Sequence, residues 1–433
     1  MLSREQNDLI TLTGPGMPGG DMMRRYWHPV ALSEELAADV PLQVRILSED
    51  LVLFRGEGGK PNLIGLFCPH RSADLSYGRV ENGGLRCIYH GWLMSGAGRC
   101  LEQPGEPANS TFKDKIRHTA YPCVEAGGLI LTYMGPGDPP RLPQYPFFTC
   151  EPEQVWTTKI YHECNYLQAS EGNVDPQHLS FLHVSGSAQN SLLPGLNDLL
   201  TADVAPKLDV QETPFGYRIF ATRRIGPDRN LARITNFIMP NCSAFDGVPI
   251  INPKSPEYAE NIGYQLHWHV PIDDGSHWKY TIMYRHKGPV DTDFAKNVLF
   301  GELDEKYHSP RNAYNRYLQS REEMRGTTFA GLGRNFYDQD LWAVETQGRI
   351  MDRSRENLGA TDRTVILMRR QLLKAVDDVR KGLQPLFVEQ EGDPNALADL
   401  AVRNDQLPID VDVMSEWWRD KERERQERQL EPA

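Results

Sequence analysis

The stretch CPHRSADLSYGRVENGGLRCIYHGW, residues 68–92, decides how this chain is read. It places Cys68 and His70 in one short segment and Cys87 and His90 in a second, as Cys-x-His followed by Cys-x-x-His. Thiolate sulfur and neutral imidazole nitrogen are both metal donors, so each segment offers one soft and one borderline ligand. A single tetrahedral zinc would accept that donor set. Its usual finger spacing, however, pairs Cys with Cys and His with His, which this stretch does not do.

The alternative is a Rieske [2Fe–2S] centre, in which Cys68 and Cys87 hold one iron and His70 and His90 the other. Exchanging two thiolates for neutral imidazoles lowers the negative charge of the cluster and raises its potential, which suits an electron relay. Gly83, Gly84 and Gly91 would let backbone N–H groups approach the sulfides, and Trp92 could shield them.

Around this stretch, residues 43–135 read as short strands with glycine turns: VRILSED, LVLF, NLIGLF, LRCIYH and GGLILTYMG. MGPGDPPRLPQYPF, residues 134–147, is a Pro/Gly-rich linker, so a domain boundary is expected there. Beyond it the chain mixes helical LQASEGNVDPQHLSFLH and TDRTVILMRRQLLKAV with strand-like GYRIFATRRIG, LARITNFIM, IGYQLHWHVP and HWKYTIMYRH. The expectation is an α+β chain of 433 residues with a small β-module at 27–140 and a larger domain at 141–433, residues 1–26 packing on the latter.

The net charge of −12 argues against nucleic acid as a partner, short apolar runs argue against a membrane, and the polar start predicts a cytoplasmic protein. Seven cysteines show no disulfide-like spacing. GPGMPG, residues 14–19, matches G-x-G-x-x-G, but its prolines offer no N–H groups to a phosphate, and we read it as a turn. No other nucleotide fingerprint is present, so NADH and flavin are expected on another protein.

A second metal site is expected in ASEGNVDPQHLSFLH, residues 169–183, which holds Asp175, His178 and His183. Two histidines and one carboxylate on one face of Fe(II) leave positions open for dioxygen and substrate. On an ideal helix His178 and His183 would point about 140° apart, so the helix must loosen or end for both to reach one ion. The carboxylate must come from elsewhere. Asp362, at the mouth of the helix in NLGATDRTVILMRRQLLKA, is the first candidate, ahead of Asp352 and Glu345. His28, His267, His269, His277 and His286 read as satisfied strand or core histidines. Arg218, Arg223, Arg224, Arg229 and Arg233 lie in or near one predicted hairpin; a solvated or salt-bridged strand face is the plain reading, whereas an arginine facing the iron would favour an aromatic acid.

Cys-Pro-His-Arg followed by Cys-Ile-Tyr-His-Gly-Trp resembles the cluster signature of the Rieske non-haem iron oxygenases. The likeness extends to MMRRYWHPVALSEEL, EGNVDPQHLSFLH and QGRIMDRSRENLGATDRTVILMRRQLL. Within that family the chain is similar to the phthalate dioxygenase-type oxygenase subunits. The resemblance implies an N-terminal Rieske domain followed by a catalytic domain with an antiparallel sheet curved around a helix, assembled as a trimer or stacked trimers. It implies a [2Fe–2S] cluster on Cys68, His70, Cys87 and His90, and mononuclear Fe(II) on His178, His183 and Asp362. Asp175 would connect His90 of one chain to His178 of the next. Electrons would come from an NADH-dependent flavin and iron–sulfur reductase, with or without a ferredoxin. Dioxygen and an aromatic compound, preferably an aromatic carboxylate, would be the substrates, with ring hydroxylation and O-demethylation both open.

Overall fold

The computed structural model describes residues 1–185, 196–246, 255, 262–296 and 300–430. The N-terminal part is built from three small antiparallel sheets. One joins Trp27–Leu32, Leu129–Tyr133 and Cys123–Ala126; the second runs Leu42–Ile46, Glu49–Arg55, Pro61–Gly65 and Ala120–Tyr121. The third, of Arg79–Glu81, Gly84–Arg86, Leu93–Ser95 and Cys100–Glu102, carries the second Cys/His segment on the hairpin between its middle strands. A separate core lies between the second and third sheets, where Val52, Phe54, Ile64, Leu66, Leu75, Leu85 and Met94 pack with Cys68, Cys87 and Trp92. The two cysteines are thus part of a hydrophobic core as well as candidate ligands.

The larger part is organised by one eight-stranded sheet whose pairings are all antiparallel. Its order is Val155–His162, Ser276–Arg285, Gly263–Asp273, Cys242–Phe245, Arg229–Ile238, Gly216–Arg224 and Lys207–Thr213, with Arg403–Pro408 also pairing to Arg229–Ile238. Strand alternation gives each strand two chemically distinct faces. The 18-residue helix Arg363–Arg380 buries Val365, Met368, Arg369, Leu372, Ala375, Val376 and Val379, a stripe with helical period, and Tyr217 of the sheet donates to the Thr364 carbonyl at 2.8 Å. The N-terminal helices Arg4–Thr11 and Pro18–Met23 pack on this same helix.

Helix Tyr166–Asn173 is buried through most of its length, and its Glu171 anchors it. The Glu171 carboxylate takes Arg353 at 2.7 and 2.9 Å and Arg369 at 2.7 Å, and Arg369 also pairs with Glu356. Burial opposes ionisation of Glu171, but the two guanidiniums outweigh it and hold its carboxyl below the usual range. Where the sequence suggested helix through residue 183, the helix ends at Asn173; Val174, Asp175 and Pro176 break it, and a 3-10 turn follows at His178–Ser180. Among the described residues, no helix is long and apolar enough to cross a membrane.

Candidate iron centres

The first centre is made by two tight turns. Cys68 and Ser72 close the first turn, with Ser72 N–H donating to the Cys68 carbonyl and Cys68 N–H to the Ala73 carbonyl, both at 2.8 Å. Cys87 and Gly91 close the second, where Gly91 adopts φ +77°, a conformation open to glycine. Arg86 braces it, donating to the Gly91 carbonyl at 2.6 Å while holding Glu81 and Glu102. The result turns both thiols inward and both imidazoles outward. The His70 and His90 rings lie 4.5 Å apart, and His70 stacks on Trp92 at 4.6 Å. Burial pushes the Cys68 thiol up to about 11, against the N–H groups of His70 and Arg71, which favour a negative sulfur.

The geometry bears on the choice of metal. Donors of one tetrahedral zinc lie about 2.0–2.3 Å from the ion and so within about 4 Å of one another. Among the described residues only one group of three or more donors converges within 4.8 Å, and it is not here. Each turn offers one thiolate and one imidazole, the donor set that a Rieske cluster divides between two irons.

The converging group is His178, His183 and Asp340. His183 Nε2 lies 3.1 Å from Asp340 Oδ1, His178 Nε2 lies 3.9 Å from the same oxygen, and the two rings are 5.1 Å apart. Each ring is oriented through its other nitrogen. His178 Nδ1 faces the Asp175 carbonyl, and His183 Nδ1 faces Gln339 Oε1 at 2.6 Å. The Gln339 amide nitrogen donates to the Gly333 carbonyl, which turns its oxygen to the imidazole and assigns the proton to Nδ1. Both Nε2 lone pairs are then directed at one point beside Asp340, the arrangement a metal-binding histidine needs. Burial alone would raise the Asp340 carboxyl, but with the imidazoles protonated, as they can be before a metal binds, His183, Lys279 and His178 bring it down to about 2.

This corrects the expectation of Asp362. Its carboxylate accepts the Gly359 N–H at 2.6 Å, closing the short turn that precedes the Arg363–Arg380 helix without capping that helix, and it stands outside the converging group. Asp352 accepts from Ser354 and faces Arg4 at the surface, and Glu345 accepts from Tyr317 and the Glu163 N–H. Asp340 comes from helix Phe336–Glu345, capped by Asn335. A signal for it was present: Phe336, Tyr337 and Val344, its i−4, i−3 and i+4 neighbours, are apolar, so a carboxylate interrupts the face this helix turns inward.

Asp175 is beside the second centre, and both its carboxylate and its carbonyl face His178. Oδ1 accepts the Gln177 N–H at 2.8 Å, and Oδ2 is 3.7 Å from His178 Nδ1, so the backbone carbonyl is the acceptor within this chain.

A cavity opens on the Nε2 side of the histidines, walled by Leu200, Leu231, Arg233, Thr235, Phe245, Phe336 and Tyr337. Leu231, Arg233 and Thr235 alternate along one strand and therefore share a face. Of the five arginines only Arg233 lines this cavity; its Nε and Nη2 donate to the Asp246 carbonyl. Arg223, on the same sheet face, clasps the histidine turn through the Pro176 carbonyl and Ser180 Oγ. Arg218 points to the other face, over Trp418 at 4.1 Å. The expectation of a solvated arginine face is thus overturned for these three, all of them buried. His267 and His269 join the wall of the site through Asn173 and Tyr337, as part of a chain that continues from His269 to His277.

Fold and donor geometry define a two-centre iron protein, a cluster module joined to a domain with two histidines and one carboxylate. Comparison with known proteins agrees. Residues 26–120 match the Rieske [2Fe-2S] domain, and residues 132–426 the LigXa C-terminal domain like family. The phthalate 4,5-dioxygenase oxygenase subunit of Pseudomonas putida is 34% identical over 423 residues, covering 92% of this chain and 91% of the relative. The 5,5'-dehydrodivanillate O-demethylase oxygenase subunit of a Sphingobium species is 32% identical, covering 89% of this chain and 83% of its own. In fold, the chain is similar to a dicamba monooxygenase bound to dicamba, with TM-score 0.58 and 19% identity over 83% of this chain and 98% of that one. The chain belongs to the Rieske oxygenase family, oxidoreductases that carry a [2Fe–2S] cluster and a mononuclear iron.

Proposed function

We propose that this chain is the terminal oxygenase of a multicomponent system that hydroxylates an aromatic carboxylate. Its cluster ligands are Cys68, His70, Cys87 and His90, and its iron ligands His178, His183 and Asp340. The observation that carries the substrate class is Arg233. It is a buried guanidinium on the wall of an otherwise largely apolar cavity beside the histidines, and its Nη1 makes no hydrogen bond among the described residues. An arginine fork matches a carboxylate, and Phe245 and Phe336 offer faces to a ring.

When bound, the cluster delivers electrons one at a time and the Fe(II) activates dioxygen. The protein's own part is positioning. Gln339 and the Asp175 carbonyl fix both imidazoles, Arg223 fixes the turn that carries His178, and the apolar wall limits water. The outward His70 and His90 sit among exposed Phe67, Tyr77, Ile88 and Tyr89, an apolar rim suited to electron-transfer partners. We assign two to this rim: an NADH-dependent flavin/iron–sulfur reductase, with or without a ferredoxin, and a neighbouring copy in a homotrimer or stacked trimers. In that assembly the Asp175 carboxylate, already beside His178 of its own chain, also reaches the partner's His90 and connects the two imidazoles. The reading uses 27–140 as the Rieske domain and 141–433 as the catalytic domain, with 1–26 on the latter, and places the protein in the cytoplasm.

O-demethylation of a methoxylated aromatic acid is a second reading, supported by the similarity to the demethylase subunit. A panel of aromatic acids with and without methoxy groups, assayed with a surrogate reductase, separates the two. Hydroxylation gives a hydroxylated acid without formaldehyde, and demethylation gives formaldehyde in step with oxygen uptake; no uptake with any acid would overturn the substrate class. Asp175→Asn tests the connector. Cluster and iron should remain while oxidation of the reduced cluster in a single turnover slows about 10- to 100-fold. Near-normal oxidation would remove Asp175 from the path.

A further inference from the structure

Asp340 has two carboxylate oxygens, and the fold treats them differently. Oδ1 faces both imidazoles, at 3.1 Å from His183 and 3.9 Å from His178. Oδ2 faces Lys279 Nζ at 4.0 Å. Lys279 lies on strand Ser276–Arg285, directly opposite His269 of the neighbouring strand, so its side chain enters the site from the sheet. It is buried, and its ammonium rests 4.0 Å from the centre of the Tyr337 ring, one turn before Asp340 on the same helix. Lys279 lines a second cavity with His162, His269 and Asp340, and does not border the first.

A buried ammonium requires a counter-charge. The titratable groups facing Lys279 are His162, His267, His269 and His277, which burial keeps neutral, Tyr337, and Asp340, the sole attracting charge among the described residues. The same lysine repels any cation placed beside it. These two effects divide the carboxylate, because Oδ2 is held towards a positive charge that a metal dication cannot share closely.

We propose that Lys279 is a positioning residue that keeps Asp340 a one-oxygen ligand, reserving Oδ2 for the ammonium and leaving one more position of the ion open towards the substrate cavity. The inference rests on the assignment of iron to His178, His183 and Asp340. Lys279 touches neither substrate nor the reacting atoms.

The test uses the full chain with its cluster intact and the mononuclear site loaded with Co(II), whose X-ray absorption edge reports that site apart from the cluster irons. In Lys279→Met, which keeps the stem and removes the charge, Oδ2 should swing onto the ion. The cobalt spectrum should then show a chelating carboxylate, and Co(II) should bind at least about tenfold more tightly, since a donor is gained and a like charge lost. Lys279→Arg should keep the parent spectrum and an affinity within about threefold of it. If the methionine variant does not fold, Lys279→Gln carries the same expectation. An unchanged cobalt spectrum in the uncharged variant overturns the inference even if affinity rises, and so does weaker binding. Failure of the parent chain to bind Co(II) at one site beyond the cluster would overturn the ligand assignment itself, and the inference with it.

Discussion

The two iron centres are built on opposite plans. All four proposed cluster donors fall between residues 68 and 90, on two turns of one small β-module. The second centre takes His178 and His183 from a broken helix and Asp340 from another helix far along the chain. The first centre rests on a small core and would depend on its metal, the second on a large sheet and a buried ion network. The difference predicts where each will break.

Removing a cluster thiolate should have the largest effect. Cys68→Ser or Cys87→Ser should abolish the visible cluster absorption and unfold the small module well before the rest, because ligand binding supplies folding free energy to a domain with so short a core. His178→Ala should leave absorption and melting of that module unchanged while eliminating substrate-dependent oxygen uptake. Loss of both signals in the histidine variant would show that the centres are not separately built.

Next in size is the contrast between two aspartates. Asp340→Asn should remove the mononuclear iron, lowering iron content by about one third relative to two cluster irons plus one. Activity should fall by more than the 10- to 100-fold typical of an outer-shell partner. Asp362→Asn, whose amide oxygen can still accept the Gly359 N–H, should retain full iron and nearly full activity. Equal iron loss in both would return Asp362 to the ligand set.

That pair also marks how far the sequence could be read. Local spacing gave the cluster, because both Cys/His pairs sit on short turns and need no distant segment. It gave His178 and His183 as well, and the need for a break in the helix followed from the angle between them. The third ligand was out of reach by the same reasoning: an acid at a helix mouth looks alike whether it caps N–H groups or binds a metal, whereas Asp340 is identifiable only once helix Phe336–Glu345 is seen to turn Phe336, Tyr337 and Val344 inward. The arginines failed for a related reason. Alternation correctly separates Arg218 from Arg223 and Arg233, but which face of the strand is covered depends on the histidine turn on one side and Trp418 on the other.

The support beneath the second centre should show in stability. Arg353→Met removes one of two guanidiniums from buried Glu171 and should cost about 3 kcal/mol, near the lower end for breaking a buried pair because Arg369 remains. Since the folded Glu171 carboxyl lies below its ordinary value of about 4.3, its contribution is complete above that value and declines as pH falls through the folded one. The stability gap between the parent and Glu171→Gln, measured by chemical denaturation, should therefore narrow on acidification. A gap that widens towards acid would mean the network is not held by the ionised carboxylate.

The smallest effect tests substrate recognition at the cavity beside the second centre. Arg233→Gln keeps a polar side chain on the strand but loses the charged fork. Its Nε and Nη2 bond the Asp246 carbonyl, which glutamine can still reach with one donor, so the strand should hold. A hydrogen bond to a charged group contributes about 1.5–3 kcal/mol, and the lower figure is about a tenfold change in affinity. KM for an aromatic acid should rise by about that factor, with kcat changing much less, because the carboxylate is bound alike in ground and transition states. The corresponding amide or aldehyde, lacking the charge, should lose little. If KM for the acid stays put while kcat falls, Arg233 acts on the iron site and not on the carboxylate, and the cavity wall would have to be read as an extension of the ligand scaffold.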